Sequence, residues 1–324
     1  MGMKDVIIKK SLFALLAIFV VMILNFILPR LMPGNPILFI MGGVKLHPEV
    51  REMLIKRFGL DKTVWEQFVA YIVRTLHGDL GISFSHFPRP VSDLIMERLP
   101  WSLGLLVPAV ILSSILGIIM GVIAAWKRGG KFDLAILSIG LFIWSLPFFW
   151  LALVLLLIFG FYFPIFPLRG ALSMGINYTG LFSFIRDYLW HSALPLISLT
   201  IWNYASYAIM MRNTMVDTLQ EDFIITATAK GLSDRVIMFR HAARNALLPV
   251  VTSVALSLGF SVGGQIFTET VFSYPGVGLL TYDAIMARDY PLAQGLFFIS
   301  SVAVITANLI ADVIYAKLDP RVRY

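Results

Sequence analysis

The chain has 324 residues, 58% of them hydrophobic and only 14% charged, with a formal net charge of +7 and no cysteine. A soluble domain is about 45–50% apolar and about 25% charged, so this composition excludes a soluble core and points to a membrane protein. No disulfide, thiol catalysis or cysteine-ligated metal is available, and the positive charge reads as lysine and arginine held on one side of a bilayer, with no nucleic-acid partner.

A bilayer core needs about 20 apolar residues of helix, and an uncharged run of about 18 is the threshold. Six runs pass it, which predicts an all-α integral membrane protein with six transmembrane helices. The first is Ser11–Pro29, 19 residues, within an anchor helix at 1–29. Lys4, Lys9 and Lys10 before it resemble a signal peptide, but the run is too long and Pro29-Arg30 is no cleavage site, so an uncleaved anchor is expected.

Residues 30–98 differ, with 16 charges in 69 residues, and belong in water as a helical extracytoplasmic segment. Val50, Met53, Leu54 and Phe58 repeat at helical spacing behind Pro48. After Gly59, Thr63-x-x-Glu66 announces a second helix by a capping box. Its stripe of Trp65, Phe68, Val69, Ile72, Val73 and Leu76 is too large to bury alone. It must pack on the bundle, a partner subunit or the lipid interface, with protein packing preferred.

The remaining five runs form a transmembrane domain at 99–316. They are Leu99–Trp126 (28 residues), Leu134–Leu168 (35), Tyr188–Met211 (24), Asn245–Thr268 (24) and Tyr290–Ala311 (22), followed by a tail at 317–324. With the N-terminus inside, cytoplasmic segments hold 14 lysines and arginines, whereas the two short outer loops hold Arg169, Arg186 and Arg288. Both termini are therefore expected to be cytoplasmic.

Little in the chain can do chemistry. Gly129-Gly130-Lys131 is followed by Phe132, so it is no nucleotide loop. His47, His77, His86, His191 and His241 never fall at i, i+4, and no metal site is expected. Gly259-Phe260-Ser261-Val262-Gly263 matches a nucleophile pattern, but it lies inside a span and reads as a small-residue packing face, like Gly117-x-x-x-Gly121. The span centres lack the ionisable relays of proton- or sodium-coupled carriers, and Asp312 and Glu269 sit near span ends. The energy for uphill transport would then enter from elsewhere, through the loop at 212–245.

That loop reads as two short helices joined by Gly231. Asp222 is expected to cap the first, Lys230 lies in its last turn, and Gly231 takes the left-handed position after it. Ser233 would cap the second, which carries Arg235, Arg240 and Arg244 toward Pro249. Phe223, Ile224 and Ala227 form an apolar face suited to a pocket in another protein, the alternative being that the helix lies on the bilayer.

The run Glu221-Asp222-Phe223-Ile224-Ile225-Thr226-Ala227-Thr228-Ala229-Lys230-Gly231-Leu232, then Arg240-His241-Ala242-Ala243-Arg244-Asn245-Ala246-Leu247-Leu248-Pro249, resembles the cytoplasmic loop of ABC-importer permeases of the dipeptide/oligopeptide/nickel class. Further matches are Pro33-Gly34-Asn35-Pro36, Gly78-Asp79-Leu80-Gly81, Glu97-Arg98-Leu99-Pro100, Glu269-Thr270-Val271-Phe272-Ser273-Tyr274-Pro275-Gly276, Arg288-Asp289-Tyr290-Pro291 and Leu318-Asp319-Pro320-Arg321. The resemblance covers nearly the whole chain in order.

It implies a type I ABC importer-like bundle in the cell membrane. One half of the path would come from this chain and the other from a second, homologous permease. Two ATP-binding subunits would carry ATP and Mg and do the hydrolysis, and an extracytoplasmic solute-binding protein would deliver the solute. The chain itself would be no enzyme and hold no cofactor. The coupling helix is implied at Asp222, Phe223, Thr226, Ala227, Lys230 and Gly231, with Ala227 and Gly231 central. Two departures stand out: Ile225 where the broader motif has an acid, and Asn35 where the turn usually has aspartate. Peptides are the expected solute, with oligosaccharides the alternative and nickel less expected. Trp144, Trp150, Trp190, Trp202, Tyr204 and Tyr207 read as interface anchors rather than sugar platforms. A secondary carrier or a non-transport scaffold is the rival class.

Overall fold

A computed structural model describes residues 3–31, 52, 55–56 and 61–318. Apart from residues 52, 55 and 56, the expected helix around Val50–Phe58 lies outside the described residues, as do the turn at Pro33–Pro36 with Asn35 and the terminal Asp319-Pro320-Arg321. Those described are mainly helical, with the longest connections at 77–90 and 163–180, and contain no strand.

Helix α1 (Met3–Leu31) holds the first apolar run. Helix α2 (Val64–Leu76) starts at the capping box foreseen in the sequence. Glu66 N donates to Thr63 Oγ1 at 3.3 Å, and Thr63 N donates back to the Glu66 carboxylate at 2.9 Å. The Thr63 N–H, and the Thr63 hydroxyl that donates to the same carboxylate at 2.8 Å, hold the Glu66 carboxyl below its ordinary pKa. The apolar stripe divides. Phe68 packs edge-on against Phe26 of α1, with ring centroids 5.1 Å apart, while Trp65, 70% exposed, faces outward with Val69, Val73 and Leu76.

Helix α3 (Val91–Trp126) runs unbroken through residues 98 and 99, past Pro100 and Pro108. The 35-residue run is not one straight span. It becomes α4 (Lys131–Ser145) and α5 (Phe148–Leu156, continued by a π-helical turn Leu157–Tyr162), bent by 94°. The cause is Pro147, which forces Leu146 into extended backbone (ψ 136) and then opens α5 from its N-cap.

Helix α6 (Leu181–Thr218) contains the fourth run, followed by α7 (Asp222–Ala229), α8 (Asp234–Gly263), α9 (Ile266–Val271), α10 (Val277–Met286) and α11 (Tyr290–Leu318). Among the described residues, four stretches are long and apolar enough to cross a membrane: Ile8–Ile27, Val91–Trp126, Asp234–Gly263 and Tyr290–Ala311. The bent pair raises the number to five. Helix α6 has the length but not the apolarity, with His191, Asn203 and several serines and tyrosines in its uncharged run; His191, Ser192, Ser198 and Thr200 are buried inside the bundle.

The α3–α6 contact forms the centre. A Cβ on Gly121 would meet Ala208 O at 2.6 Å and Met211 Cβ at 2.7 Å, so the two backbones touch only because this position is glycine. Gly259 abuts Ala307 of α11 in the same way, so the nucleophile-like pattern is a packing face. Gly121→Val should force the helices apart at a cost of about 1–3 kcal/mol. The check is the melting temperature of the detergent-solubilised protein, with Gly180→Ala, where an added Cβ meets nothing within 4 Å, as the neutral control.

Candidate functional site

Helix α7 and the turn after it stand at one end of the bundle. The C-terminal ends of α3 and α6 and the start of α8 gather there into an apolar cluster of Val122, Ala125, Met211, Met215, Val216, Ile237, Ala242 and Ala246. Ile224 and Ala227, three residues apart on one helical face, insert into that cluster, and Ala227 is only 4% exposed.

This corrects the outward apolar face expected of Phe223, Ile224 and Ala227. Two of the three are spent on holding α7 to its own chain. The presented surface is instead Asp222, Phe223, Thr226 and Lys230, together with Ile225, which is 64% exposed. In the sequence Ile225 stands out only as a departure from an acidic motif position, whereas in the structure it is an exposed apolar side chain on this surface. Its signal was the helical period: if 224 and 227 face inward, 225 must face outward.

The ends of α7 differ partly from expectation. Glu221, not Asp222, occupies the N-cap, with φ −74 and ψ 146, and makes no side-chain capping bond. Asp222 follows in the first turn, where its charge still complements the helix dipole. Lys230 is the C-cap, just past the last helical residue. Gly231 has φ +73, its N–H reaches Thr228 O at 2.9 Å, and Leu232 N reaches Ala227 O at 3.4 Å. This pair of bonds is a Schellman close, and it requires a residue free to adopt left-handed backbone. Ser233 sits at the next N-cap but its side chain makes no capping bond; its carbonyl receives Val236 N at 2.9 Å instead.

A buried ion pair adjoins the loop. Arg212 donates from Nε to Asp133 Oδ1 at 3.0 Å and from Nη2 to Oδ2 at 2.8 Å, and Gly129 N adds a third bond at 3.0 Å. It ties the start of α4 to the end of α6, 79 residues apart in sequence.

At the opposite end of the bundle two buried carboxylates collect the remaining motifs. Glu269 accepts from Ser102 Oγ at 2.8 Å, Gln265 N at 3.1 Å and Leu279 N at 3.0 Å. Ser102 Oγ in turn accepts Val277 N at 2.8 Å, so α3, α9 and the start of α10 meet at one side chain. Asp289 accepts from Ser83 Oγ, from Ser85 N at 2.8 Å and Ser85 Oγ at 2.7 Å, and from Leu292 N at 3.1 Å. It thereby fastens the loop after Gly78–Gly81 to the first turn of α11. Among the described residues no three His, Asp or Glu side chains gather as a metal site.

Residues 117–324 match the family described as "Binding-protein-dependent transport system inner membrane component", and residues 3–106 match its N-terminal companion, "Binding-prot-dependent transport system membrane comp, N-term". The chain is 36% identical to the dipeptide transport system permease protein DppB of Escherichia coli K12, covering 93% of this chain and 94% of that protein. It is 33% identical to the oligopeptide transport system permease protein AppB of Bacillus subtilis, over 99% and 100% of the two chains. It is 35% identical to the di/tripeptide transport system permease protein DppB of Pseudomonas aeruginosa, over 94% and 95%. The chain therefore belongs to the family of binding-protein-dependent transport system inner membrane components.

Proposed function

We propose that this chain is one of two permease subunits of an ATP-driven peptide importer in the cell membrane. The observation that carries the solute class is the near-full-length similarity to permeases named for dipeptides, di/tripeptides and oligopeptides. In this reading the bent pair α4–α5 and the polar helix α6 complete six crossings, both termini are cytoplasmic, and residues 30–98 are extracytoplasmic. A second, homologous permease supplies the other half of the path. Two ATP-binding subunits hold ATP and Mg, and an extracytoplasmic binding protein supplies the peptide. The chain hydrolyses nothing itself.

Coupling runs through α7. Phe223, Ile225 and Thr226 meet the ATPase, while Ile224 and Ala227 pass the motion to the ends of α3, α6 and α8. ATP binding closes the ATPase pair and shifts α7 as a rigid lever, and the path alternates between its two openings.

The test is peptide-stimulated ATP hydrolysis by the reconstituted importer. Gly231→Pro removes the N–H bonded to Thr228 O and cannot adopt φ +73, so stimulation should fall to the basal level while the protein stays in the membrane. Ile225→Arg should act likewise without touching the core. A charge at Ala227 is a poorer probe, since it enters the buried cluster. Normal stimulation in both variants would overturn the coupling role, and stimulation by oligosaccharides but not peptides would overturn the solute class.

A further inference from the structure

Between the last turn of α1, helix α2 and the first turns of α11 lies a cavity of about 390 Å³. Its wall is uneven in charge. Arg30, Lys62 and Arg74 line it against a single carboxylate, Asp79, whose Oδ1 already accepts Gly81 N at 2.9 Å. Among the described residues Arg30 is held by neutral groups only. It donates to Phe26 O at 2.8 Å and Gln67 Oε1 at 3.0 Å, and its guanidinium lies 3.5 Å from the centroid of the Phe26 ring. Among the described residues none of the three cations makes an ion pair. Burial lowers the pKa of Arg30 to about 10, which leaves it charged at neutral pH. Its remaining N–H edges are suited to an oxyanion.

The depth of the cavity narrows the choice of anion. The apolar run of α1 ends at Ile27, so Arg30 stands about 4.5 Å beyond it along the helix, at headgroup level. The apolar run of α11 begins at Tyr290, and its Gln294 donates to Asn25 O at 3.0 Å, which sets the two helices in register. Gly295 and Phe298, farther along α11, also line the cavity. The cavity thus reaches from cations at the water boundary to Gly295 and Phe298 within the apolar run of α11. The outward face of α2, with Trp65 and Leu76 exposed, is likewise that of a helix at a membrane interface.

We propose that this cavity binds an anionic phospholipid, with the phosphate between Arg30, Lys62 and Arg74 and an acyl chain passing Gly295 and Phe298. A soluble phosphate would leave Gly295 and Phe298 uncovered, and a peptide, whose carboxylate the same cations could hold, is an outcome that the test separates. The proposal depends on the membrane location of the chain and not on its solute.

The test is lipid titration of the full-length protein in detergent, read by native mass spectrometry, with phosphatidylglycerol against phosphatidylcholine. Phosphatidylglycerol should bind about tenfold more tightly, and Lys62→Gln with Arg74→Gln should remove about tenfold of that affinity while leaving phosphatidylcholine unchanged. Lys62, just ahead of the Thr63 cap, and Arg74, within α2, are both exposed, so the melting temperature of this variant should be unaltered. Arg30→Gln, which also loses the Phe26 and Gln67 bonds, should abolish the preference. Equal binding of the two lipids, or an unchanged preference in the Lys62/Arg74 variant, would overturn the proposal. So would displacement of phosphatidylglycerol by equimolar inorganic phosphate or by dialanine, which would identify the anion as free phosphate or as solute.

Discussion

Glu269→Ala should lower the stability of the detergent-solubilised protein by about 3 kcal/mol or more, because each buried donor left unpaired costs about 1–3 kcal/mol. The three donors are the N–H groups of Gln265 and Leu279 and the hydroxyl of Ser102, and the carboxylate that serves them is fully buried. The Leu279 N–H lies in the first turn of α10, where a negative charge is further favoured by the helix dipole. A Cβ on Gly276 would collide with both Glu269 and Ser102, so nothing else can refill the space without moving the turn. Glu269→Gln should be intermediate. Every partner donates, and an amide turns one of its two acceptor atoms into another donor. Thr268→Val is the control. Thr268 is equally buried, but its hydroxyl has no partner among the described residues, so losing it should cost nothing. A melting temperature in Glu269→Ala as high as in Thr268→Val would show that the hub does not hold α3, α9 and α10 together.

What could be read in the sequence was local. The capping box at Thr63 and Glu66, the left-handed Gly231 and the small-residue contacts at Gly121 and Gly259 each depend on neighbours within four residues or on the absence of a side chain. The features that escaped are relations between distant segments. Nothing within one turn of Glu269 says that it will meet Ser102, 167 residues earlier. The inward turn of Ile224 and Ala227 is set by the cluster at the ends of α3, α6 and α8, and an amphipathic pattern does not say which of two apolar surroundings it faces. The 35-residue uncharged run looked like one span because hydropathy ignores direction, although Pro147 stood in the middle as the sign of a break. In a chain with so few acids, a carboxylate adjoining a span must find donors. That rule would have singled out both Glu269 and Asp133.

Asp133 carries the second large effect. Its side chain is 4% exposed and that of Arg212 17%, so Arg212→Met should leave a buried carboxylate without its countercharge, at a cost of about 3–5 kcal/mol. Asp133→Leu should cost a similar amount by stranding the guanidinium. The double variant distinguishes this from simple loss of packing. With both charges gone it should recover most of the deficit, because Gly129, whose N–H loses its acceptor, is exposed and can bond to water instead. Additive losses across the three variants, measured by thermal melting in detergent, would show that the pair is not energetically coupled. The functional readout separates stability from transmission. Arg212 lies in the stretch of α6 that leads into α7, and Asp133 opens the bent pair, so the bridge is a rigid link from the loop at 212–245 to α4 and α5. A double variant restored in stability but still deficient in peptide-stimulated ATP hydrolysis would assign the link a part in coupling. Full recovery of both would confine it to holding α4 against α6.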